Sequence, residues 1–144
     1  MSDGYWFKST LFEIEPGEDD DINPGIFGRQ LAEWLRAKLQ GQGYTVEDVI
    51  NEDWGRCLMC QRTPFWLWVG VGNLHVGPFE NAPQPQSIPA RQDVVWHCFV
   101  VTELAFFMRL LGKRAEVVDA RARLDATVRG ILESEPAIEL VPEP

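Results

Sequence analysis

The spacing of apolar positions switches along this chain between two residues and three to four residues, and each switch predicts a change of element. Residues 5–15 read as a first strand, with Trp6, Phe12 and Ile14 on one face and Glu13 and Glu15 on the other. An exposed acidic loop, Glu18-Asp19-Asp20-Asp21, follows. Asn23 and Pro24 then predict a helix start, with the asparagine as N-cap and the proline at the first helical position. The acidic run just ahead suits the positive end of that helix's dipole. Phe27, Leu31, Trp34, Leu35 and Leu39 recur at helical spacing as a buried stripe, and Gly41 and Gly43 end the helix.

Residues 44–50, 54–61 and 65–71 predict three further strands. The last of these is apolar on both faces, which places it centrally in a sheet. Gly72-Asn73 is a two-residue hairpin signal that would return the chain through a short strand at 74–79. Residues 80–91 carry Pro83, Pro85 and Pro89, and loops of this kind in compact domains are often functional. A strand at 94–101, a short helix at 104–111, a longer helix at 115–133 and a short edge strand at 137–141 complete the order. The longer helix places Val117, Ala120, Leu124, Val128, Ile131 and Leu132 on one face. Consecutive strands joined by short turns, flanked by helices, predict one α+β domain over residues 1–144. The expected architecture is a two-layer sandwich, a mainly antiparallel sheet with helices packed on one face.

Composition narrows the partners. A domain of 144 residues buries roughly two-thirds of its unfolded surface and needs no staples. The formal net charge is -9, from 13 Lys and Arg against 22 Asp and Glu. Nucleic-acid affinity comes largely from cations on phosphates, so nucleic acid is a disfavoured partner, as is an anionic membrane surface. A basic protein, a cationic ligand or a metal ion suits the charge better, although solubility alone also accounts for it. The apolar stretch 99–111 is interrupted by Glu103 and Arg109 and is too short to span a bilayer. The first residues lack a basic start and an apolar segment, so no secretory signal is expected. Three cysteines leave at least one unpaired, which fits a reducing cytoplasm.

Several chemistries fail on spacing. Cys57-Leu58-Met59-Cys60 has the spacing of half a zinc site, but residues three apart in a strand point to opposite faces, and packing cysteines are the better reading. His75, His97 and Cys98 would complete a ligand set only if the fold brought them together. No helix N-terminus stands at the pair to activate a thiol. The acidic loop lacks the alternating oxygen ligands and distal glutamate of a calcium loop. Gly70-Val71-Gly72 is not followed by the third glycine or the helix of a dinucleotide site, and there is no Walker motif or serine elbow. His97, in an apolar strand, reads as a core or sheet-face residue. Five tryptophans, Trp6, Trp34, Trp66, Trp68 and Trp96, lie in apolar segments and read as core. No metal and no cofactor is expected, and no catalytic residue is assigned.

What remains is Glu52-Asp53-Trp54-Gly55-Arg56, a turn between two apolar strands. Loops held by rigid strands concentrate binding groups. The bland alternative is a turn in which Asp53 takes backbone hydrogen bonds and Trp54 anchors the next strand. The leading expectation is a protein-binding domain for a basic partner protein. Its contact would comprise Glu18, Asp19, Asp20, Asp21, Glu52, Asp53, Trp54 and Arg56, flanked by the proline-spaced loop. The alternative is a small-molecule binder or weakly signposted enzyme with a cleft near Glu52, Asp53, Arg56 and His75. A third reading is self-association through the last helix or a sheet edge.

Gly28-Arg29-Gln30-Leu31-Ala32, Gly43-Tyr44, Glu52-Asp53-Trp54-Gly55 and Leu67-Trp68-Val69-Gly70 together resemble a family of small uncharacterised bacterial proteins. The resemblance covers most of the chain. It implies a strand, a helix ending near a glycine, and an acidic Trp-Gly segment before two sheet strands, with no established activity to carry over. Arg56 stands where that pattern has a second tryptophan. By class analogy alone, the size, acidity and lack of a catalytic signature also resemble immunity proteins of polymorphic toxins.

Overall fold

A computed structural model of the protein describes residues 4–23, 25–74, 90–104, 112 and 114–144, with only the backbone of Asp21. Strands β1 (Tyr5–Ser9), β2 (Ile50–Glu52), β3 (Gly55–Gln61), β4 (Trp66–Asn73), β5 (Trp96–Glu103) and β6 (Ile138–Val141) form one sheet. Their order is β2-β3-β4-β5-β1-β6, and every pairing is antiparallel. Helices α1 (Arg29–Gly41) and α2 (Arg114–Ser134) pack on one face. This is the expected α+β two-layer sandwich, with the doubly apolar β4 in the interior of the sheet.

Alternation along the strands decides the core. Phe7, Leu58, Val69, Val71, Trp96 and Cys98 point under the helices and are buried, against Leu31, Leu35 and Leu39 of α1 and Leu124, Val128 and Leu132 of α2. Full burial of each large apolar side chain is worth about 1.5–3 kcal/mol. Tyr5 closes the α2 side: its hydroxyl donates to Asp125 Oδ2 at 2.7 Å. Burial first, and then that carboxylate, raise the phenol's pKa above its ordinary value.

Several boundaries differ from those predicted, each for a local reason. The first strand ends at Ser9, whose hydroxyl accepts the Leu11 N–H at 3.1 Å and turns the chain. Phe7 and Ser9 therefore face the core, while Trp6 lies on the opposite face; Phe12 is buried, but beyond the strand. Residues 44–49 are not a strand. Arg36 of α1 holds them instead, donating from Nε to Glu47 O at 2.8 Å and from Nη2 to Val46 O at 3.1 Å. Gly72 and Asn73 do not turn: they continue β4 opposite His97 and Trp96, and Leu74 N–H still donates to Val95 O at 2.8 Å. The strand expected at 74–79, the loop at 80–91 and the helix at 104–111 fall largely outside the described residues.

The start of α1 is the most informative difference. The helix begins at Arg29, with Gly28 at its N-cap, rather than at Asn23 and Pro24; Pro24 lies outside the described residues. No residue adjacent to the helix supplies a side-chain cap. Glu18 does so from ten positions upstream, its Oε1 accepting the N–H of Gly28 at 2.7 Å and of Arg29 at 3.1 Å. Its Oε2 accepts the Glu15 N–H at 2.7 Å. Gly28 has φ of 127°, a region that side chains disfavour, and a Cβ there would stand 3.5 Å from the Trp96 ring.

Candidate functional site

The acidic residues divide into a buried and an exposed set. Glu18 and Arg56 are both in the interior, at 0% and 1% exposure. Arg56 Nη1 stands 3.7 Å from Glu18 Oε1, and Nη2 donates to the Glu18 carbonyl at 3.4 Å. From sequence both read as partner-contact residues; in the structure they form an internal clamp between β3 and the start of α1. Asp19 is half-buried and its carboxylate accepts the Gly25 N–H at 2.9 Å. Asp20, Glu52 and Asp53 are exposed, and the Asp21 side chain lies outside the described residues. Asn23 Nδ2 donates to Asp53 O at 2.9 Å, so the segment just after the acidic run reaches the β2–β3 turn.

The β2–β3 register separates the remaining pair. Asn51 faces Arg56, and Glu52 faces Gly55. With a side-chain period of two, Arg56 enters the core while Glu52 lies on the other side of the sheet. Arg56 and Glu52 therefore do not share a cleft; Asp53 is exposed in the turn, and His75 lies outside the described residues.

The face away from the helices carries an aromatic band, two of whose members, Trp6 and Trp68, read from sequence as core residues. Trp54, from the β2–β3 turn, stacks near Trp68 of β4 with centroids 5.7 Å apart. It also lies 5.4 Å from Phe99 of β5. Phe99 lies 5.0 Å from His97, which stacks on Trp6 of β1 at 3.8 Å and 1°. Glycine makes room for this band: a Cβ at Gly70 would collide with the Phe99 ring. Trp54 is 40% exposed and Trp66 46%. Only Trp96 of the six tryptophans is fully buried in the core; Trp34, on α1, is half-buried. The missed signal was the two-residue spacing of Trp66 and Trp68, which puts both on one face of β4. Glu103 was also missed as a site residue. Its Oε2 accepts the Trp68 Nε1–H at 3.2 Å.

The thiols are poor nucleophiles here. Cys57 is buried on the aromatic side of β3, whereas Cys60 packs against the helix-side core. Burial pushes Cys57 up to about 11 and Cys60 up to about 12, and burial also raises Cys98. Among the described residues, no group of three or more His, Cys, Asp and Glu could hold a metal ion. Among them also, no helix is long and apolar enough to cross a membrane. Comparison with protein-family models, with curated proteins and with solved structures returns no match.

Proposed function

We propose that this is an acidic, cytoplasmic, bacterial protein-binding domain that docks a basic protein. The observation that carries this reading is the β2–β3 turn. It presents a tryptophan 40% exposed beside the exposed carboxylates of Glu52 and Asp53, is joined to the acidic loop through Asn23, and is continuous with an aromatic band. A rigid aromatic anchor beside charges is the composition of an interface hot spot, and the carboxylates would steer a basic partner and set its orientation. Nucleic acid is disfavoured by the same charge. An immunity-type inhibitor of a basic toxin is the class that combines these features with the absence of a catalytic arrangement among the described residues.

The test is affinity capture from the native cell at moderate salt, with the wild type beside a Glu52→Lys, Asp53→Lys, Trp54→Ala variant. A stoichiometric basic partner retained by wild type alone, and released as salt rises, supports the reading. A partner held equally by both proteins removes the turn as the contact, and no partner at all defeats the proposal.

One observation favours a second reading. Between α1 and α2 lies a cavity of about 400 Å³ lined by residues including Trp34, Lys38, Ile131 and Glu135, with Lys38 Nζ 5.8 Å from the Trp34 ring centroid. A small molecule bound there would raise the melting temperature in a ligand screen, and Lys38→Ala would remove that gain.

A further inference from the structure

A second cavity, of about 360 Å³, opens where the β3–β4 turn meets the end of β5, lined by Arg62, Pro64, Phe65, Trp66, Glu103 and Leu104. Trp66 and Glu103 are directly opposed in the β4–β5 ladder, so an indole and a carboxylate rise side by side from the same face. The indole is 46% exposed. Glu103 is oriented by the Trp68 Nε1–H on one oxygen, and a carboxylate keeps further acceptor positions after one such bond. The cavity's own cation is already engaged. Arg62 makes a fork on Glu47, Nε to Oε2 at 2.6 Å and Nη2 to Oε1 at 2.9 Å. That hydrogen bond is the main reason the Glu47 carboxyl sits below its ordinary value. The charge left facing the cavity is therefore that of Glu103.

An anionic ligand would meet a guanidinium that is already paired, and a purely apolar one would desolvate Glu103 without compensation. A flat cation on an apolar stem satisfies every wall. Its methylenes lie along Pro64 and Leu104, its plane stacks on Trp66, and its N–H groups reach Glu103. We infer that this cavity receives an arginine side chain of the basic partner protein. The inference rests on the protein-binding reading and adds a second contact to the β2–β3 turn, at the far end of β4 and on the same aromatic face.

The probe is N-acetyl-arginine methylamide, titrated into the full chain at low salt while the Trp66 indole N–H resonance is followed. Its neutral isostere, N-acetyl-citrulline methylamide, is the control. Saturable movement of the Trp66 resonance with the arginine probe alone is expected. Glu103→Gln keeps an acceptor for Trp68 and should weaken binding by roughly tenfold or more, the scale of one hydrogen bond to a charged group. Asp119→Asn, on α2 and outside the cavity, should leave it unchanged. Equal response to citrulline, no response at Trp66, or full affinity in a folded Glu103→Gln variant overturns the inference, even where a partner is captured by the turn. Arginine binding with no protein partner captured instead makes the cavity a small-cation site, and overturns its assignment to a partner's side chain.

Discussion

Glu18-Asp19-Asp20-Asp21 and Glu52-Asp53-Trp54 are two acidic stretches that look alike in composition and behave in opposite ways. The first begins with a glutamate at 0% exposure that caps a helix and meets a buried arginine. The second keeps both carboxylates exposed beside a half-open indole. Charge type does not separate them; the location of a partner does. Arg56 follows Glu18 by 38 positions, and α1 lacks an acidic residue in its own first turn. One carboxylate therefore enters the interior, where a cation and three N–H groups compensate its lost hydration. The second stretch has no such compensation and stays in water, available to another molecule.

The sharpest way to break this contrast is Glu18→Ala. It leaves Arg56 buried without its carboxylate and strips the α1 cap, so a loss of about 3–5 kcal/mol is expected in denaturant unfolding. Retained stability would falsify the internal role of the clamp. Asn73→Ala attacks the same junction from β4. It removes the Asn73 Oδ1 acceptor of Phe27 N–H at 2.8 Å and the Nδ2 donor to Gly25 O at 3.0 Å, and should cost about 1–3 kcal/mol by the same measurement.

The contrast between buried and exposed ionisable groups also predicts a pH dependence. Cys57, Cys60 and Tyr5 have folded pKa values above their ordinary ones, so the folded state holds these protons more tightly than the unfolded state. The contribution of these groups is therefore constant below about pH 8.5, where both states are protonated, and falls above it as the unfolded thiols ionise first. The slope approaches about 1.4 kcal/mol per pH unit for a strongly shifted thiol such as Cys60 and is smaller for Cys57, whose pKa burial raises less. Urea unfolding between pH 7 and 10 measures it, and a Cys60→Ala variant should lose part of the slope; an unchanged profile would show that the thiols are not protected. The smallest effect on stability belongs to the other acidic stretch. Glu52→Lys with Asp53→Lys should stay within about 0.5 kcal/mol of wild type while reducing capture of a basic partner and its salt dependence. A large destabilisation there would erase the distinction between the two stretches.

The α+β class, the central position of β4, the stripe of α1 and the span of α2 were legible in the sequence because each depends on periodicity within one segment. Leu31, Leu35 and Leu39 announce a helix face wherever the chain goes. The same local rules failed where a distant group intervened. Asn23 reads as a cap, yet Glu18 performs that role and Asn23 reaches Asp53. Residues 44–49 read as a strand, yet Arg36 takes their carbonyls. Gly72-Asn73 reads as a turn, yet β5 offers a ladder that extends β4 past it.

The candidate site shows the same division. The exposed acidic Trp turn was visible as a composition of charges, glycine and an indole between strands. Its neighbours were not, because Trp54, Trp68, Phe99, His97 and Trp6 come from four separate segments joined only by strand order. The inward turn of Arg56 depended on its register against Asn51, and a shift of one residue would have placed it outside. Sequence by itself determined which segments are amphipathic and with what period, since that is chemistry between near neighbours along the chain. Tertiary structure alone decided which carboxylates are buried and which aromatics share a face, since hydration is lost or kept according to partners tens of residues away.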